Sequence, residues 1–110
     1  MIFILTFSSH EQKEKFEYIY ENYKRLMLYK ASSILHDYML AEDAVSEAFI
    51  RIYKNIDKIE DPVSKKSIAF VMTIVRNTSL TILEKNKKSD FIEEEDTRAD
   101  SFDLENHILS

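Results

Sequence analysis

The chain contains no glycine. Glycine is the residue that reaches positive φ without steric penalty, so the tight turns that close β-hairpins are hard to build without it. Hairpins are therefore unexpected in these 110 residues. There is one proline, Pro62, and no cysteine, which removes disulfides and thiolate metal sites. The length fits one small domain, and a hydrophobic content of 45% suffices for a modest core.

Apolar spacing marks three helices. The first starts near Ser9, where "SHEQ" has the form of a capping box, and ends near His36. Its stripe is Phe16, Ile19, Tyr20, Tyr23, Met27, Ala31 and Ile34. "HDYML" then reads as a short connection, with Asp37 as a cap. The second helix runs from Ala41 to about Lys58 and buries Ala41, Val45, Ala48, Phe49, Ile52 and Ile56. "DKIEDPVSKK" is a loop, since the residue before Pro62 is pushed away from helix. The third helix runs from about Ser67 to about Lys88, with Ile68, Val71, Met72, Val75, Ser79, Ile82 and Leu83 on its core side. The expected fold is all-α, a compact bundle of three main helices. Residues 1–8 form an N-terminal extension, 9–89 the helical domain, and 90–110 an acidic linker, disordered or partly helical.

Charge divides the chain at the same place. Residues 1–89 hold 14 Lys/Arg and 12 Asp/Glu, a net of +2; residues 90–110 hold one Arg and eight Asp/Glu, a net of −7. "MIFILTF" is too short and lacks the basic flank of a leader, and no apolar run is long enough to span a membrane. The expected location is cytoplasmic, with no membrane insertion. Near the end, "FDLENHIL" regains a faint helical spacing through Phe102, Ile108 and Leu109, as though a further helix were beginning.

Two helices carry a second pattern outside their core stripes. On the second helix, Ile50 sits among Asp43, Glu47, Arg51 and Lys54. An apolar residue framed by charges has the make-up of a docking patch with an anchor and a polar rim. It equally fits a solvated face with an ordinary Glu47–Arg51 pair and one exposed hydrophobe. On the third helix, Phe70, Ile74, Asn77, Thr81 and Lys88 fall on one line, placed opposite the core side by this reading. Lys85 and Lys87 lie at its far end, and Lys65 and Lys66 in the loop before it. Lysines neutralise phosphates, an Asn amide can bond a base edge, and an aromatic can stack on an unpaired base. The plain alternative packs Phe70 and Ile74 on the first helix and assigns the lysines to the helix dipole.

Catalysis is not expected. His36–Asp37 resembles a fragment of a metal-phosphohydrolase site, but no further ligands accompany it. A glycine-rich phosphate loop is impossible here, no hydroxyl has a recognisable base partner, and no cofactor is expected.

"FEYIYENYKRLMLYKASSIL", "AEDAVSEAFIRIYKNIDKI" and "FVMTIVRNTSLTILEKNKK" resemble, in that order, region 2 of bacterial RNA polymerase sigma factors of the sigma-70 family. The extracytoplasmic-function group is the nearest in pattern. The resemblance covers residues 14–88. It implies a non-enzymatic transcription initiation factor that docks on the clamp coiled coil of the polymerase β′ subunit. It further implies recognition and melting of the promoter minus-ten element, with capture of non-template-strand bases. An anti-sigma factor is a further candidate partner. The rival function is a helical interaction module or regulator that does not bind DNA.

By that resemblance, Asp43, Ser46, Glu47, Ile50, Arg51 and Lys54 form the polymerase-binding face, with Ser46 replacing the family's usual Gln. Lys65, Lys66, Phe70, Ile74, Asn77, Thr81, Lys85 and Lys88 form the DNA-binding set. Asn77 matches the family's Arg-Asn pair, and Phe70 a common tryptophan position. Thr73 and Thr81 replace a usual arginine and aspartate, and Glu84 and Asn86 interrupt a run that is usually arginine-rich. "EDPVSKKS" corresponds to the segment that contributes a base-specificity pocket. The acidic linker corresponds to the tether toward a helix-turn-helix domain that reads the minus-thirty-five element.

Overall fold

A computed structural model describes residues 5–95, with side chains for 5–88. The first helix, α1, is His10–Leu35. Ser9 caps it, its hydroxyl accepting from the Gln12 N–H at 3.2 Å. The return half of the box is shifted by one residue: Gln12 Oε1 accepts from the Ser8 N–H at 3.0 Å. The Gln12 amide also donates to Asp57 Oδ1 at 2.6 Å, tying the start of α1 to the segment after the second helix.

The lack of glycine shows at the end of α1. His36 closes the helix at φ 54, ψ 32, and its N–H donates to the Ser32 carbonyl at 2.8 Å. Glycine is the usual occupant of this left-handed position, and a residue with a Cβ costs roughly 1 kcal/mol there. Asp37 follows at once as the next cap, accepting from the Leu40 N–H at 3.0 Å. The connection expected over "HDYML" thus shrinks to two residues. The second helix, α2, is Tyr38–Lys54, starting earlier and ending earlier than the apolar spacing predicts. Asn55 ends it because its side-chain amide donates to the Arg51 carbonyl at 2.8 Å, satisfying a terminal acceptor. A 3-10 turn, Ile56–Lys58, carries Ile56 back to the core.

The third helix, α3, is Lys65–Glu95, longer at both ends than predicted. Ser64 supplies its start, the hydroxyl accepting from the Ser67 N–H at 3.2 Å. Lys65 and Lys66 therefore open the helix rather than lie in a loop. Residues 84–95 include three lysines and four glutamates, which favour helix, so the helical backbone continues past Lys88. Residues 96–110, which include most of the expected acidic linker with Phe102, Ile108 and Leu109, lie outside the described residues.

The three helices pack pairwise into a triangle, and no strand occurs among the described residues. The all-α bundle is as expected. The core collects Phe16, Ile19, Tyr23, Met27 and Ala31 from α1, the whole predicted stripe of α2, and Val71 and Val75 from α3. Phe16 is the hub, with ring centroids 5.6 Å from Phe7, 5.8 Å from Phe49 and 6.3 Å from Tyr53. Phe7 and Leu5 pack against this core, and the Tyr53 hydroxyl donates to the Thr6 carbonyl, so residues 5–7 dock on the bundle.

Candidate functional surfaces

The outer face of α2 follows from its inner one. Ala41, Ala44, Val45, Ala48, Phe49 and Ile52 are all fully buried, which fixes the rotation of the helix. Asp43, Glu47, Ile50, Arg51 and Lys54 then face solvent together, with Ser46 half-buried beside them. Ile50 keeps 41% of its surface exposed. Glu47 and Arg51 form an exposed ion pair at 3.7 Å, weak by its geometry and setting. Met39, 75% exposed, lies on the same line as Asp43, Ser46 and Ile50, at spacings of four, three and four. The sequence reading missed it because it placed Met39 in a connection. The cap at Asp37, already visible, would have started the helix at Tyr38 and brought Met39 onto the face.

On α3 the predicted line is displaced. The buried side holds Ser67, Val71, Val75, Thr78 and Ser79. Phe70 and Ile74 lie roughly a quarter turn from its centre, half-buried and packed against the core. They form a flank of the helix, not its outer face. Asn77, Thr81, Lys85 and Lys88 on the same line are exposed, as are Lys65 and Lys66 at the start. Among the described residues these four lysines make no ion pair. Thr81 Oγ1 donates to the Asn77 carbonyl at 2.9 Å, and Asn77 Oδ1 accepts from the Arg76 guanidinium at 3.3 Å.

The loop before α3 forms a shallow pocket of about 250 Å³, lined by Glu60, Asp61, Ser64, Lys66 and Ser67. Its backbone is held by local bonds. Asp61 Oδ1 accepts from the Val63 N–H at 3.0 Å, and the Asp61 carbonyl accepts from the Ser64 hydroxyl at 2.8 Å and the Ser67 hydroxyl at 2.5 Å. From the other side, the buried Tyr23 of α1 donates its hydroxyl to the Pro62 carbonyl. Burial raises the Tyr23 phenol above its ordinary 10.0, with further contributions from Tyr18 and the Asp61 carboxylate. It is therefore a protonated donor at neutral pH. A second groove, about 400 Å³, lies on α1 between Tyr20, Glu21, Lys24, Arg25 and Leu28 and gathers none of the predicted residues.

No group of three or more His, Cys, Asp or Glu residues suited to a metal occurs among the described residues, and no helix there is long and apolar enough to cross a membrane.

The Sigma-70 region 2 family model matches residues 19–89, which takes in most of α1, all of α2, the loop and most of α3. The chain belongs to that family, and so has a sigma-factor-like role in transcription initiation with RNA polymerase core and promoter DNA as partners. The family is one of transcription factors, not of enzymes. Comparison with curated proteins finds no match. Comparison with solved structures finds none either.

Proposed function

We propose that the chain is a region 2 domain of the extracytoplasmic-function type, working in the cytoplasm, with its two surfaces dividing the labour. The outer face of α2 docks on the β′ clamp coiled coil. Asp43 and Glu47 meet basic residues there, Ile50 and Met39 are the apolar anchors, and Ser46, Arg51 and Lys54 form the rim. The observation that carries this reading is the sorting of α2: a wholly buried face backed by an exposed isoleucine within a charged frame. An anti-sigma factor is a further candidate partner.

The α3 flank and the loop pocket then lie over the minus-ten element. Lys65, Lys66, Lys85 and Lys88 neutralise backbone phosphates, and Asn77 and Thr81 reach the non-template strand. Phe70 and Ile74 shape the apolar wall behind it. Extruding a base costs a few kcal/mol, and stacking and hydrogen bonds return about 1–3 kcal/mol for it. The two nearly cancel, so the free domain opens duplex poorly and polymerase must supply the remainder.

The test is reconstitution with core polymerase. Ile50→Glu should weaken assembly by roughly 30-fold, equivalent to about 2 kcal/mol, with an unchanged melting temperature. Wild-type affinity in that variant would remove the docking face. A helical interaction module without DNA contact is the second reading, favoured by the half-burial of Phe70 and Ile74. It predicts that Asn77→Ala, Lys85→Ala and Lys88→Ala leave promoter-directed transcription intact; the sigma reading predicts its loss.

A further inference from the structure

The loop pocket is held from two sides, and only one of them belongs to the helix it precedes. Ser64 and Ser67 tether the Asp61 carbonyl to the first turn of α3. Tyr23 reaches the next carbonyl, that of Pro62, from α1, 39 residues away in sequence. The ring of Tyr23 is buried in the core, and only its hydroxyl is spent on the loop. A phenylalanine would fill the same space. The hydroxyl is thus separable from the packing.

We propose that Tyr23 is a specificity-positioning residue: by holding the Pro62 carbonyl it fixes the loop whose residues Glu60, Asp61 and Ser64 line the pocket, and so decides which promoter base that pocket accepts. The inference rests on the proposed function, which places the loop pocket over the minus-ten element, and adds that the pocket seats one of its bases.

The physical case is one of tolerance. A pocket discriminates bases through hydrogen bonds confined to about 2.7–3.2 Å, so a loop displaced by about 1 Å no longer scores the right base above the wrong one. Glu60, Asp61 and Val63 are exposed and have no core contacts of their own to resist such a shift. With Tyr23 released, the stretch between the buried Ile59 and α3 is held only by the Ser64 and Ser67 bonds and can shift. One neutral hydrogen bond corresponds to about a fivefold change in the seated population. Tyr23 touches no base. It acts through Pro62, and its effect belongs in selectivity rather than in polymerase binding.

The experiment uses holoenzyme assembled from core polymerase and the full chain, with a promoter library randomised across the minus-ten region. Open complexes are captured and sequenced. Tyr23→Phe should retain polymerase affinity within about twofold while preference at one minus-ten position falls about three- to tenfold. Preferences at the other positions should persist. Pro62→Ala keeps the acceptor carbonyl and should keep the preference. Ser67→Ala loosens the opposite tether and should erode preference at the same position, which tests the loop independently should Tyr23→Phe fold poorly. Unchanged selectivity in both Tyr23→Phe and Ser67→Ala overturns the proposal, as does an equal loss on every template, the mark of a purely structural role. A wild-type holoenzyme with no minus-ten preference would instead overturn the proposed function, and this inference with it.

Discussion

The second and third helices solve the same problem differently. Each must bury one side and offer another to a partner. On α2 the sides do not overlap: Phe49 is fully buried and its neighbour Ile50 is open to solvent. On α3 they merge, because Phe70 and Ile74 serve the core while flanking the exposed Asn77 and Thr81. A helix that only docks can separate recognition from stability residue by residue. A helix whose recognition line runs along the edge of the core cannot.

The largest contrast lies within one dipeptide. Phe49 is packed by Phe16 and by Tyr20, whose ring centroid is 5.0 Å away. Phe49→Ala should destabilise the domain by about 3–5 kcal/mol in urea unfolding. Ile50→Ala should change stability by no more than about 0.5 kcal/mol and still weaken polymerase binding. A stability loss above about 1 kcal/mol for Ile50→Ala would mean that the face is structural.

The corresponding pair on α3 is predicted to lack that separation. Ile74→Ala should lower stability by about 1–2 kcal/mol, since the side chain is half-buried, and should reduce promoter opening as well. Asn77→Ala, one turn further on, should reduce promoter opening with stability held within about 0.5 kcal/mol. Thermal melts run beside open-complex assays read both quantities. Equal stability for the two variants would make α3 as cleanly sorted as α2.

This difference also explains what could be read in the sequence. The inner face of α2 is uniformly apolar, so its period gives the rotation of the helix and with it the outer face. Met39 escaped only because a cap and a connection look alike in "HDYML". On α3 three buried positions are Ser67, Thr78 and Ser79; the expected core side includes Ser79, but a hydrophobic period passes over Ser67 and Thr78. Ser79 and Ser67 are admitted to the interior because each hydroxyl finds a nearby carbonyl, Val75 at 2.7 Å and Asp61 at 2.5 Å. Omitting Ser67 and Thr78 while counting the half-buried Ile68, Met72 and Leu83 turned the helix until Phe70 and Ile74 faced outward. The Tyr23–Pro62 bond was invisible for another reason: Tyr23 fits the core period of α1, and nothing in that pattern assigns a second task to its hydroxyl.

Thr78 allows α3 to be sharpened without touching its exposed line. Its Oγ1 is buried and has no partner among the described residues. An unsatisfied buried hydroxyl costs about 1–3 kcal/mol, and valine has nearly the same shape. Thr78→Val should therefore stabilise the domain by about 1 kcal/mol. Holoenzyme activity should stay at the wild-type level if the buried and exposed sides of α3 act independently at this position. A stabilised variant with altered promoter opening would show that they are coupled even there.

The smallest expected effect is on α2. Glu47 and Arg51 are both exposed, and their ion pair at 3.7 Å is an i,i+4 contact worth about 0.3–0.5 kcal/mol at most. Glu47→Gln should be almost invisible in a melt. In polymerase binding the same substitution removes a charge from the rim of the docking face, where rim charges govern encounter rate more than residence. The association rate should fall, the dissociation rate should hardly change, and the difference from wild type should shrink as salt is raised, because exposed charges are screened over about 8–10 Å. A change confined to dissociation would place Glu47 inside the buried centre of the contact and move the boundary between anchor and rim drawn here around Ile50.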